Sequence, residues 1–203
     1  MHKIIQLAPM RTASTLLANA LYGMVKGWED KPIQYVTGAD RGRDVRSKPF
    51  HDHDIIKTHN HPPSMGHTNY MGGTGQDPDW WINNFPEYDI RFVCCERKGL
   101  DSSHLNPRDQ TDRLDYGLLP KKYGDYENVY IMQYEDLIKP VEEFCGKLYK
   151  DMKEFLPMWE LSLQGAVDRC NKMNARYEEI KDKPFTFLDK FYYIHGSHRG
   201  RGK

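Results

Sequence analysis

The sequence predicts an α/β fold: a single domain with a mostly parallel central sheet flanked by helices, opening on a phosphate-loop-like strand–loop–helix unit. Three observations predict it. Apolar runs of strand length alternate along the chain with stretches of 3.6-residue apolar periodicity. The first run, Ile4-Ile5-Gln6-Leu7, passes through the turn Ala8-Pro9-Met10-Arg11 into a helix whose start carries Thr12, Ser14 and Thr15. Several later strand runs end in basic residues, as expected when parallel strands deliver their carboxyl ends to one edge.

The elements follow in order. The first helix is drawn by Leu16, Leu17, Ala20, Leu21, Met24 and Val25, one stripe that predicts an amphipathic helix. A weak strand is expected at 32–36 and a short one at 54–58, separated by a polar loop through Arg41-Gly42-Arg43-Asp44. Residues 60–87 read as an excursion on the acceptor side of a site, a lid, with Met71-Gly72-Gly73-Thr74-Gly75 and then Trp80, Trp81 and Phe85. The aromatic residues, with Tyr70 and His67, fit a lid over an acceptor or an outer patch of the core. Strands are expected at 88–95 and 128–134. Helices are expected at 140–156, with Val141, Phe144, Cys145, Leu148, Met152 and Phe155 on one side, and at 158–181.

Composition bounds the function. With 203 residues the chain is long enough for a real core, and 29 basic against 29 acidic residues leave no net charge. No global field attracts nucleic acid, and no apolar stretch has the length of a membrane span, so neither nucleic acid nor membrane is an expected partner. The N-terminus shows no charged-then-apolar leader. Cys94, Cys95, Cys145 and Cys170 lack CxxC spacing and indicate neither a disulfide framework nor a zinc site, which fits a reducing, cytoplasmic setting.

The candidate chemistry gathers at strand ends. The unpaired N–H groups of a helix start favour an anion, and Arg11 adds a planar fork suited to phosphate or sulfate oxygens. The next strands end in Lys57-Thr58-His59, Glu96-Arg97-Lys98 and Tyr134-Glu135-Asp136. Arg11, Lys57, His59, Arg97 and Lys98 would then share one sheet edge.

These motifs resemble those of sulfotransferases that use 3′-phosphoadenosine-5′-phosphosulfate. Pro9-Met10-Arg11-Thr12-Ala13-Ser14-Thr15 is similar to the family's 5′-phosphosulfate loop, with Ala13 where the family has glycine. Ile56-Lys57-Thr58-His59 is similar to the Lys-Ser/Thr-His stretch of the cytosolic branch. Arg97-Lys98-Gly99-Leu100-Asp101 resembles the start of the 3′-phosphate motif, although the family's later serine position is Leu105. Tyr134-Glu135-Asp136-Leu137 matches a strand-end tetrapeptide, and the tail at 198–203 resembles a shortened form of the basic loop that closes over the 3′-phosphate.

The resemblance implies a sulfotransferase that moves a sulfuryl group from this co-substrate to a hydroxyl or amine. It implies His59 as general base, with Lys57 and Arg11 stabilising charge. Arg11, Thr12, Ala13, Ser14, Thr15, Arg97, Ser102, Ser103, Tyr134, Arg199, Gly200 and Arg201 would bind the nucleotide. No metal is required, because the donor carries its own leaving group. The acceptor, a small molecule or a carbohydrate, and the oligomeric state are left open. Two other readings compete. The His51-Asp52-His53-Asp54 run with His59, His61 and His67 supplies zinc-capable side chains for a metal-dependent hydrolase. Its two halves flank a strand, however, and stand about 20 Å apart if extended. A non-catalytic nucleotide- or RNA-binding module would use the Arg-Gly tail and the aromatics.

Overall fold

The computed structural model describes residues 1–8, 12–34, 52–59, 78–99, 119, 121–182 and 191–192, with His59 described by its backbone alone. The chain packs as two compact units. One comprises Met1–Ser14 and Gln34–Ile138; the other comprises Thr15–Ile33 and Lys139–Lys203. Among the described residues no helix is long and apolar enough to cross a membrane.

The first unit is built on a four-stranded sheet in which every pairing is parallel. Its strands are β1 (His2–Ala8), β2 (Ile55–His59), β3 (Asp89–Glu96) and β4 (Val129–Gln133), in the order β2-β1-β3-β4. β1 is therefore paired on both sides and is buried from Lys3 to Ala8, which explains its nearly unbroken apolar run. The strand expected at 32–36 does not form at its described residues 32–34. The Gln34 carbonyl instead accepts a hydrogen bond from the Lys57 amide at 2.9 Å. The expected strand boundaries at β2, β3 and β4 hold to within a residue or so.

Register sets the faces, because partners across a parallel ladder point the same way. Ile5, Leu7, Ile56, Ile90, Phe92 and Cys94 share one face. They pack with Trp81 and Phe85, contributed by and just beyond helix α2 (Pro78–Asn84), and with Tyr123 of a 3-10 turn at Lys121–Asp125. Trp81 and Phe85 stack with centroids 5.9 Å apart, and Trp80 meets Trp81 edge-on. Of the two readings of these aromatics, the core one describes Trp81 and Phe85; residues 60–77 of the excursion lie outside the described residues. The other sheet face carries Ile4, Gln6, Ala8, Ile55, Lys57, Val93 and Cys95, all buried. A short helix α3 (Tyr134–Leu137) follows β4.

The second unit takes most of helix α1 (Ser14–Met24), with α4 (Val141–Phe155) and α5 (Leu163–Ile180). α1 departs from the amphipathic expectation. Leu17, Ala18, Asn19, Ala20, Leu21, Tyr22 and Met24 are all buried, so the helix is enclosed nearly all round. It crosses α5 where Gly23 meets Gly165, so closely that a Cβ on either would overlap the other's backbone. α5 starts five residues later than its periodicity suggests. Ser162 caps it, accepting from the Gly165 amide at 3.1 Å, and the residues before it turn back to bridge Leu161 to Val25.

Within this unit Arg169 of α5 is buried, and no carboxylate among the described residues pairs with it. Its guanidinium donates to Asn19 Oδ1 at 3.1 Å and to the carbonyls of Glu29 at 2.5 Å and Phe191 at 2.6 Å, with a longer bond to that of Trp28 at 3.4 Å. It also lies over the rings of Tyr22 and Tyr192.

Candidate functional site

The carboxyl edge of the parallel sheet holds the candidate site, and Thr12, Lys57, Cys95, Arg97 and Tyr134 there belong to the first unit. After β1, the chain enters α1 through Thr12 and Ala13. Ala13 adopts φ 58, the left-handed conformation that glycine enters freely and alanine enters at a cost on the order of 1–2 kcal/mol. Thr12 is fully buried, and its hydroxyl meets Cys95 Sγ at 3.1 Å. Cys95 is the penultimate residue of β3, so this bond ties the start of the helix to the end of the neighbouring strand.

Lys57 lies on the same sheet face, in register beside Gln6. The lysine reaches no solvent. Burial pulls its amine down from 10.5 to about 7, with Cys95 acting weakly the other way. Cys95 is raised to about 12, chiefly by burial, against the pull of the Thr12 hydrogen bond and of Lys57. Around neutral pH the thiol is therefore protonated, while Lys57 is poised between amine and ammonium. Gln6 is enclosed as completely as these groups, yet among the described residues neither its amide nitrogen nor its amide oxygen has a hydrogen-bond partner.

The outer strands complete the edge. Glu96 and Gln133, partners across β3 and β4, are joined by an amide-to-carboxylate hydrogen bond of 2.8 Å. Just beyond them the Arg97 guanidinium lies over the Tyr134 ring, 4.2 Å from its centroid. That stacking holds the guanidinium plane against the ring at the strand end.

The structure thus brings Thr12 against Cys95 on the face that carries Lys57, and Arg97 against Tyr134. Ser14 begins α1 and is buried; Thr15 follows it in the helix. Arg11, the His59 side chain, Ser102, Ser103, Arg199, Gly200 and Arg201 lie outside the described residues. Among the described residues no group of three His, Cys, Asp or Glu side chains is placed to hold a metal; His51, His61 and His67 are not among them.

Sequence reasoning missed Gln6 and Cys95. Gln6 is the polar interruption in Ile4-Ile5-Gln6-Leu7, and Cys95 shares its parity with Val93 on the face opposite Cys94. Both were readable from strand alternation, had the sheet neighbours been known. No protein family, no curated protein and no solved structure matches the chain.

Proposed function

We propose that this chain is a sulfotransferase acting from 3′-phosphoadenosine-5′-phosphosulfate on a hydroxyl or amine acceptor. One observation carries the reading: a parallel sheet brings Thr12 against Cys95 near the carboxyl end of β3 and Arg97 against Tyr134 just beyond it, with Lys57 buried on the Cys95 face two residues before the end of β2, and such folds take ligands beyond their strands' carboxyl ends. The phosphate-loop-like opening of the sequence, the Lys-Thr-His stretch and the Arg97 segment supply residue types suited to a phosphosulfate.

Sulfuryl transfer breaks the bond between sulfur and the bridging oxygen of the donor and forms a bond from sulfur to the acceptor atom. Negative charge grows on the leaving phosphate, so catalysis rests on positioning and on fixed positive charge. In this reading Arg11 and the amides at the start of α1 hold the 5′-phosphate. Lys57 in its ammonium form neutralises oxygens of the sulfonate or leaving group. His59 takes the acceptor proton, a role to which an imidazole near neutrality is suited. Arg97, kept flat by Tyr134, with Ser102 or Ser103 and the tail residues Arg199, Gly200 and Arg201, selects the 3′-phosphate.

The test is transfer of labelled sulfate to a panel of sugars, alcohols, phenols and amines, with binding of 3′-phosphoadenosine-5′-phosphate followed by thermal shift. His59→Ala is expected to retain nucleotide binding and to lose turnover by about 10²–10⁴-fold. Full turnover in that variant removes His59 from the mechanism, and absence of nucleotide binding to the wild type removes the reading as a whole.

A further inference from the structure

Gln6 presents a question of its own. A buried glutamine amide with both polar atoms unmet costs stability, so a folded protein retains one where it serves something else. Its surroundings are specific. Gln6 lies mid-strand in β1, between β2 and β3. In register beside it on β2 is Lys57, on the same face. On the far side of β1, two residues beyond Gln6's partner Val93, is Cys95, held by Thr12. Ala8, the next residue of β1 on that face, is in register with His59 of β2. Lys57 and the unmet amide thus stand beside one another in the sheet, on the face that also carries the Thr12–Cys95 contact.

We propose that Gln6 is a positioning residue for Lys57: its amide oxygen accepts a hydrogen bond from Lys57 in the ammonium form, the form that an anion in the strand-end site favours, so that anion binding there takes up protons from solvent. The ligand half of this inference rests on the nucleotide reading above; the pairing of Gln6 with Lys57 does not. The uncharged amine has one fewer N–H to place, and the incoming phosphate or sulfonate supplies the field that favours the charged form. Burial has already brought Lys57 into the range where such a field decides its state. Among the described residues, Cys95 is the titratable group whose field reaches Lys57, and it is neutral near pH 7. Gln6 and Thr12 carry no charge; Arg11 and the His59 ring are not among the described residues. The proton balance is simple: each Lys57 that is uncharged takes one proton from the buffer as the anion enters, about half a proton per bound anion at most near pH 7.

The experiment is an NMR titration of the whole chain carrying ¹³C-labelled lysine, with and without saturating 3′-phosphoadenosine-5′-phosphate. Lys57→Met assigns the Lys57 signal, and Gln6→Met and Gln6→Glu are the test variants. In the wild type the ligand is expected to raise the Lys57 midpoint by about one pH unit or more, which makes binding roughly fivefold tighter at pH 7 than at pH 9. Gln6→Met is expected to lower the ligand-free midpoint, to remove most of the ligand-induced rise, and to flatten the pH dependence of binding. Gln6→Glu is expected to raise the ligand-free midpoint. Gln6→Met is also expected to unfold at a higher denaturant concentration than the wild type, because an unmet amide is replaced by an apolar chain of similar size; a merely structural residue would do the reverse.

Equal Lys57 midpoints in the wild type and Gln6→Met, with or without ligand, overturn the inference. Failure of the wild type to bind the nucleotide overturns the nucleotide reading and the proton uptake with it, while the ligand-free midpoints still decide whether Gln6 and Lys57 act as a pair.

Discussion

At Lys57 the folded chain holds an amine that is half-protonated at about pH 7, against 10.5 when exposed. Because the folded value is the lower one, the unfolded chain carries a proton that the fold lacks between about pH 7 and 10.5. There Lys57 makes stability rise with pH by ~1.4 kcal/mol per unit. Cys95 acts oppositely. Raised from 9.0 to about 12, it keeps in the fold a proton that the unfolded chain loses above pH 9. Cys94 and Cys170, also raised by burial or by a neighbouring thiol, act in the same direction. These groups together give stability that climbs from pH 7 to about 9 and turns over above it. Lys57→Met is expected to be more stable than the wild type below pH 7, by a margin of roughly 5 kcal/mol at most, shrinking to nothing near pH 10.5. Urea unfolding at pH 6, 8 and 9.5 measures this, and parallel pH slopes for the two proteins would refute it. The sequence marked Lys57 as a strand-end cation. It did not mark its full burial, because burial on a sheet face depends on which strands lie alongside. Thr12 was expected at the helix start, yet its hydroxyl is engaged with Cys95, a partner 83 positions away that no local pattern announces.

The crossing of α1 and α5 places two glycines where only hydrogen fits. Alanine ordinarily gains up to about 1 kcal/mol over glycine within a helix. At Gly23 the added methyl would meet the Gly165 carbonyl, Arg169 Cβ and Ala166 Cα, and at Gly165 it would meet the Gly23 carbonyl. Overpacking of this kind costs typically about 1–3 kcal/mol, occasionally more. Gly23→Ala and Gly165→Ala are each expected to destabilise on that scale, whereas Gly146→Ala in α4, with nothing within 4 Å of its added methyl, is expected to stabilise slightly. Denaturation midpoints of the three variants check the contrast, and a stabilised Gly23→Ala would contradict the close crossing. Helix existence was legible from 3.6-residue periodicity in all three long helices. The enclosure of α1 was not, since apolar spacing tells which side is buried only when another side is wet. The late start of α5 follows from the Ser162 cap and the Leu161 bridge, whose partner Val25 lies far back in the chain.

Each compact unit of the molecule is assembled from two separated stretches of chain. In the helical unit Arg169 joins them, since its four acceptors come from residues 19, 28, 29 and 191. Removing the guanidinium leaves buried acceptors unmet, at about 1–3 kcal/mol for each one that water does not reach. Arg169→Met is expected to lower stability by several kcal/mol, and Arg169→Lys to recover less than half of that, because one ammonium does not span the same acceptors. Guanidinium chloride unfolding of both variants tests the claim, and a lysine variant equal to the wild type would show that charge alone matters. The alternation of strand and helix made a parallel sheet legible. The order β2-β1-β3-β4 and the discontinuous units were not, because both are settled by long-range pairing rather than by any window of sequence.

The central place of β1 also shapes how this protein is made. It is synthesised before both of its partner strands, Ile55–His59 and Asp89–Glu96. At ordinary elongation speeds of about 5–20 residues per second, its two open edges wait on the order of ten seconds for a mate. A nascent segment this apolar invites stray association with other strands. The polar amide of Gln6, set amid Ile4, Ile5 and Leu7, interrupts the stickiest stretch during that interval.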